Sequence, residues 1–204
     1  ISTNNGKSTE IDAKYLITDT RMQVFLPEEL KAKGGSVKIK VDFSYISPLE
    51  GSDRTGVLET KNGKIFTIAQ WFPRMCVYDD VRGWNTNPYL GASEFYLGYG
   101  DFDVSITAPS NHIVVSSGEL LNPASVYSAE EQRRLAQAKL SDKTVFIRTA
   151  EEVANMSKNT TSATKTWNFK IKNSRDVSWA SSAAFILDGA KINLPSGKKS
   201  LALS

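Results

Sequence analysis

The sequence predicts an all-β chain, an antiparallel β-sandwich with one or two short inserted helices, and three observations carry that prediction. Apolar residues recur at every second position in several separate runs, the period at which a strand turns one face to a core and the other to water. Turn dipeptides such as Asn62-Gly63 lie between such runs. Helix signatures are confined to one stretch, without the strand–helix rhythm that a parallel sheet needs.

In chain order, a first strand is expected over residues 21–26, closed by Pro27 and followed by a Gly34-Gly35 turn. Residues 37–45 place Val37, Ile39, Val41, Phe43 and Tyr45 against Lys38, Lys40, Asp42 and Ser44, a strand with one dry and one wet face. Asn62-Gly63 joins 56–60 to 64–71 as a hairpin, because Asn and Gly tolerate positive φ. Phe102, Val104 and Ile106 alternate with acidic and hydroxyl residues up to Pro109, and 113–117 is expected to pair back onto this strand. Ser128 with Glu131 forms a capping box before a helix over 130–140. Thr149 with Glu152 repeats it for a shorter helix ending near Met156. A strand over 143–148 separates them.

Residues 155–165 are rich in Ser, Thr and Asn and read as an exposed loop; it contains two Asn-x-Ser/Thr glycosylation triplets, at Asn155 and Asn159. Strands are then expected at Trp167, Phe169 and Ile171, and over 177–181. Asp188-Gly189 is expected to turn 184–187 into 190–194 as a second hairpin. With no repeat and no linker, residues 1–204 read as a single domain.

Composition narrows the chemistry. The 25 Lys and Arg against 22 Asp and Glu leave a net charge of +3, spread along the chain rather than gathered into the basic stripe of a nucleic-acid surface. An apolar fraction of 40% suffices for a sizeable core. No apolar run approaches the roughly 18 residues of a membrane span, and residues 1–7 lack the apolar stretch of a secretion signal. Opening on Ile1 suggests a trimmed chain.

The sole cysteine, Cys76, excludes an intrachain disulfide, and with the sole histidine, His112, it leaves little for a metal or a nucleophilic triad. His112 falls in a turn and reads as a solvated or hydrogen-bonded side chain. Cys76, between Met75 and Val77, reads as a buried inert thiol. The pairs Asp79/Asp80 and Asp101/Asp103 could in principle serve glycoside hydrolysis, although turn and edge carboxylates account for them. Ten of the 20 aromatic residues lie between Phe66 and Phe102, much of it in a Gly-, Asn- and Pro-containing stretch over 82–100. Such a segment either plugs a core edge or forms a docking surface. Trp71, Trp84, Tyr89 and Tyr96 could act as stacking platforms of a carbohydrate-binding or adhesion module.

The segment Ala69-Gln70-Trp71-Phe72-Pro73-Arg74-Met75-Cys76-Val77-Tyr78-Asp79-Asp80 resembles the aminopeptidase N (gluzincin) family of zinc metallopeptidases. Two further stretches share the resemblance: Asp101 to Gly118, and Trp167-Asn168-Phe169 with Asn173-Ser174-Arg175-Asp176-Val177-Ser178-Trp179-Ala180. Residues 89–100 are closest to the bacterial members.

All three stretches belong to that family's amino-terminal, saddle-like β-domain. The resemblance implies a fragment, without that domain's first strands and without the thermolysin-like catalytic domain, whose His-Glu-x-x-His helix holds the zinc and whose Gly-x-Met-Glu-Asn strand marks an exopeptidase. On it, the chain does no chemistry alone: zinc belongs to the catalytic domain of the parent, the partners are that domain and the amino terminus of a peptide, and neither nucleic acid nor a membrane span is involved. The bacterial members favour a periplasmic or secreted setting. The family's β-domain lends the cleft a Gln-x-Gln/Glu pair for the substrate's ammonium. Gln70 matches the first position, and Phe72 stands at the second, where the carboxamide or carboxylate is replaced by an aromatic ring.

Overall fold

A computed structural model of the chain describes residues 2–3, 10–49, 54–91, 95–155 and 162–204. The strands before the aromatic-rich stretch are β1 (Ser2–Thr3), β2 (Lys14–Thr18), β3 (Arg21–Phe25), β4 (Val37–Lys38), β5 (Thr55–Thr60) and β6 (Gly63–Ile68). Within and after it come β7 (Tyr78–Asp79), β8 (Gly83–Trp84), β9 (Gly100–Pro109), β10 (Ile113–Ser116) and β11 (Glu119–Leu120). Helices α1 (Pro123–Val126) and α2 (Ala129–Ala138), strand β12 (Val145–Arg148) and helix α3 (Ala150–Asn155) follow. The chain closes with β13 (Thr164–Ser174), β14 (Trp179–Ser182), β15 (Leu187–Asn193) and β16 (Lys199–Leu203). Every ladder between these strands is antiparallel, as the all-β prediction requires. Contacts divide the chain into two compact units, Ile1–Tyr45 with Pro73–Gly98, and Ile46–Phe72 with Tyr99–Ser204.

In the first unit, β2 and β3 form a hairpin whose two-residue turn has Asp19 in the left-handed region at φ 50°. The turn is tied to the aromatic-rich segment, since Arg21 Nη1 donates to the Thr86 carbonyl at 3.2 Å and the Tyr89 N–H to Thr20 Oγ1 at 2.8 Å. β7 and β8 make a second small hairpin, its turn closed by Asp79 Oδ1 accepting from the N–H groups of Val81 and Arg82. Among the described residues of this unit no side chain is buried.

The strand expected over 37–45 is only Val37–Lys38, which pairs with β1. Beyond it the chain keeps the side-chain alternation without a ladder. Phe43 and Tyr45 stack on one side at 6.4 Å, and Lys40 and Asp42 pair on the other at 3.3 Å. Period two specifies faces, whereas a strand also needs a neighbouring backbone to bond with.

The second unit holds the core. On β9, Val104, Ile106 and Ala108 are buried between exposed neighbours, and β13 answers with Phe169 opposite Val104 and Trp167 opposite Ile106. The outer face of the same ladder is polar and paired: Asp103 with Lys170, Ser105 with Asn168 and Thr107 with Thr166, each at 2.9 Å. Trp167 is fully buried and meets Tyr127 edge-on at 5.2 Å. Ile147, Leu187, Val114 and Val177 complete the densest part.

The described residues of this unit form three sheets: β10–β14–β6–β5, β11–β13–β9 and β12–β15–β16. β10 was expected beside β9 and instead pairs with β14. A turn with the His112 N–H on the Pro109 carbonyl carries the chain from one sheet into the other. Ile113 and Val114 are both buried, so β10 is covered on both faces, which alternation on β9 could not reveal.

Asp188-Gly189 is not a turn either, because Leu187–Asn193 is one continuous strand between β12 and β16. A Cβ at Gly189 would stand 2.8 Å from Leu203 and 2.9 Å from the Ala202 carbonyl, so the glycine serves close strand approach rather than reversal.

Both capping boxes form. Ser128 and Glu131 exchange side-chain-to-backbone hydrogen bonds at 3.2 and 2.7 Å, and Thr149 and Glu152 do so at 3.2 and 2.8 Å. Most of the loop expected over 155–165, including both glycosylation triplets beyond Asn155, lies outside the described residues, and its last two residues belong to β13. Among the described residues no helix is long and apolar enough to cross a membrane.

Candidate functional site

The site is built at the exit of β6. Ile68 is buried, and Ala69 is clamped by Thr55, whose hydroxyl donates to the Ala69 carbonyl at 2.9 Å and accepts from its N–H at 3.2 Å. The chain then turns sharply at Gln70, which has φ 52°. A left-handed conformation costs a residue with a Cβ on the order of 1 kcal/mol, so it persists only where its surroundings hold it.

Those surroundings are aromatic. Trp71 donates its indole N–H to the Val177 carbonyl at 3.1 Å and packs edge-on against Trp179 at 6.4 Å and Phe72 at 5.1 Å. Phe72 in turn meets Phe102 edge-on at 5.8 Å. Edge-to-face contacts of this kind add to the area that the rings bury. Gln70 is half-buried, and among the described residues its side-chain amide makes no hydrogen bond. Gln70 and Phe72 therefore have different fates: the first presents a spare donor and acceptor at a braced corner, and the second is part of the brace.

The other candidate groups are each committed elsewhere. His112 Nδ1 lies 2.8 Å from Ser181 Oγ with the ring tilted on Phe66 at 6.2 Å. Its pKa is lowered, first by burial and then by the nearby Arg148 guanidinium. Asp79 closes its turn and accepts from the Tyr96 hydroxyl at 3.2 Å; its carboxyl is held below the usual range, first by the Arg82 N–H. Asp101 accepts from the Asn173 N–H at 2.9 Å, while Asp103 pairs with Lys170. The two carboxylates share one face of β9 as expected, each with a structural partner.

Cys76 contradicts its sequence reading, because it is exposed. Its apolar neighbours in sequence do not make a core: Met75 is exposed as well, in a stretch without ladder. Among the described residues no three His, Cys, Asp or Glu side chains gather as a metal site requires.

The aromatic-rich stretch divides. Trp71, Phe72 and Phe102 pack against the core, which removes Trp71 as a stacking platform. In the first unit, Tyr78 and Trp84 form an edge-on pair at 5.2 Å, and Tyr89 and Phe95 a parallel pair at 5.3 Å, all exposed.

Sequence reasoning missed an open groove of about 1030 Å³ in the second unit, lined by residues of β6, β10, β11, β13, β14 and β16 and by Leu135 of α2, with Ser and Thr side chains among the apolar ones. The only available signals were the Leu135/Lys139 spacing on α2 and the alternation Lys199, Leu201, Leu203 after the Lys198-Lys199 pair.

No family model, curated protein or solved structure matches the chain.

Proposed function

We propose that the chain is the non-catalytic β-domain of a zinc-dependent aminopeptidase, which packs on the catalytic domain and frames the cleft where a peptide's amino terminus is held. The observation that carries this reading is the meeting of Trp71 with Val177 and Trp179. The indole and the Val177 carbonyl are 106 residues apart in sequence. Two of the three stretches in which the chain resembles that family thereby come together in space and brace the residue that the resemblance marks for the substrate.

In this reading Gln70 contributes one acceptor for the substrate's ammonium. A charged amine in a closed cleft needs hydrogen-bond acceptors, and the amide oxygen of Gln70 is uncommitted. The ring of Phe72 supplies an apolar wall in place of the second acceptor, so the remaining acceptors come from the catalytic domain. Zinc would be held by that domain as well and would supply there the activation of water for hydrolysis.

The test is an assay of the purified chain against a panel of aminoacyl reporters, with and without added zinc. The reading predicts no turnover in either condition. Hydrolysis that a chelator abolishes would contradict it.

A second reading, a carbohydrate-binding or adhesion module, is favoured by the exposed pairs Tyr78/Trp84 and Tyr89/Phe95 beside Tyr96. Apolar sugar faces stack on such rings. It predicts a saturable tryptophan fluorescence change with a glycan, lost in Trp84→Ala. A flat response across a broad glycan panel removes it.

A further inference from the structure

In the order β11–β13–β9, strand β9 has β13 on one side and, among the described residues, no strand on the other. At 10 residues it is the longest outer strand of the second unit. The Ser110 N–H donates to the Ala163 carbonyl at 2.8 Å and continues the β9–β13 register. Hydrogen-bonded pairs alternate from there, so Ala108, Ile106 and Val104 bond to β13. Asn168, the partner of Ser105, turns its carbonyl the other way, to the Leu121 N–H at 2.8 Å. Asp103, Ser105 and Thr107 therefore direct their N–H and C=O groups outward. Among the described residues these groups have no main-chain partner.

An exposed edge of this kind is ordinarily blunted by a lysine, a proline or a bulge. Between Phe102 and Ala108, β9 carries no lysine, no proline and no shift of register. The one charge there, Asp103, is matched by Lys170 at 2.9 Å.

The edge is also complementary to itself. Antiparallel pairing about a two-fold axis at Ser105 sets the two Ser105 residues opposite one another and Asp103 opposite Thr107 of the second copy. Each of these pairs exchanges two main-chain hydrogen bonds. On the wet face a carboxylate then meets a hydroxyl, and no charge meets its like. On the dry face Phe102 meets Ala108 and Val104 meets Ile106, so the largest side chain lies opposite the smallest. An axis at Asp103 would oppose two carboxylates. One at Val104 would set Phe102 against Ile106, and one at Ile106 would set Asp103 against Pro109, which has no N–H to give.

We propose that β9 is a dimerisation edge, pairing antiparallel with β9 of a second copy of this chain and joining the two β11–β13–β9 sheets into one. A second copy fits the edge on both faces at once, which an arbitrary extended peptide does not.

The experiment is sedimentation of the full chain over a wide concentration range, with amide exchange followed by NMR. The proposal predicts a reversible monomer–dimer equilibrium. With rising concentration the amides of Asp103, Ser105 and Thr107 become protected, whereas those of Val104 and Ile106 are protected throughout. Ser105→Pro removes an outward donor without touching a β9–β13 hydrogen bond, and it should weaken the dimer about tenfold or more. Ser105→Lys and Ser105→Glu each place like charges at the axis and should each weaken it, while an equimolar mixture of the two pairs again. Ser105 is exposed, and an unchanged circular dichroism spectrum shows that a variant is folded. A chain that stays monomeric up to about 1 mM overturns the proposal. So does assembly beyond the dimer, protection that misses these three amides, a Ser105→Lys chain that dimerises like the parent, or a mixture that pairs no better than its components. Binding of an unrelated alternating peptide along β9 of a chain that remains monomeric overturns it as well. Reporter hydrolysis by the isolated chain bears on the cleft reading alone.

Discussion

The indole N–H of Trp71 donates to the carbonyl of Val177 at 3.1 Å, fastening the corner after β6 to the segment that leads into β14. Trp71→Phe keeps a ring against Trp179 and Phe72 but leaves that carbonyl without its donor. The expected cost is about 1–2 kcal/mol, the scale of a lost hydrogen bond at a partly buried group. Urea denaturation should show a lower midpoint with an unchanged slope.

Gln70→Gly should leave stability unchanged or raise it slightly, because glycine adopts φ 52° without the clash of a Cβ. Gln70→Val should lower it by about 1–3 kcal/mol, since a β-branched residue is least suited to that conformation. Thermal melts of the two variants side by side separate backbone strain from the loss of the amide.

Gly189→Ala places a methyl group 2.8 Å from Leu203 and 2.9 Å from the Ala202 carbonyl in the middle of β15. Overpacking of this kind costs about 1–3 kcal/mol. Had Asp188-Gly189 been a hairpin turn, the same substitution would act through φ, and Gly189 is absent from the positive-φ residues. A fall in melting temperature comparable to that of a core substitution is the expected result.

His112 has a folded pKa below its ordinary 6.5, first because of burial. Its neutral form is the one the fold prefers, so the unfolded chain binds the proton more readily. The associated stability is present above about pH 6.5 and is lost as pH falls through the lower folded value. His112→Gln should flatten the pH dependence of the denaturation midpoint between pH 7 and pH 5 relative to the parent. A variant whose slope matches the parent's in that window would show that the histidine is uncoupled from folding.

Cys76 is exposed. One equivalent of thiol should react with an aromatic disulfide reagent in the native chain, without denaturant. Protection until unfolding would restore the buried-thiol expectation.

Local signals were legible in the sequence wherever the determinant is local. The two capping boxes, the hairpin between β5 and β6 and the alternation on β9 each depend on residues within a few positions of one another, and each formed, although the turn itself is Lys61-Asn62, with Gly63 paired to Thr60 as the first residue of β6. What could not be read was which strand meets which. Pairing of β9 with β13 and of β10 with β14 is decided by side chains more than 50 residues apart, such as Ile106 with Trp167. The alternation at 39–45 lacked only a neighbouring strand, and Gly189 mimicked a turn because glycine serves close approach as well as reversal. At the candidate site, only the resemblance marks Gln70, and the brace of Trp71, Trp179, Phe72 and Phe102 comes from three distant segments that no local pattern joins.

The most direct measurement is to sequence the reading frame of the parent gene downstream of the codon for Ser204. A β-domain that frames a zinc peptidase cleft predicts a Gly-x-Met-Glu-Asn strand followed by a His-Glu-x-x-His helix in the same polypeptide. A stop codon at that point, or a continuation that carries neither motif, contradicts the account.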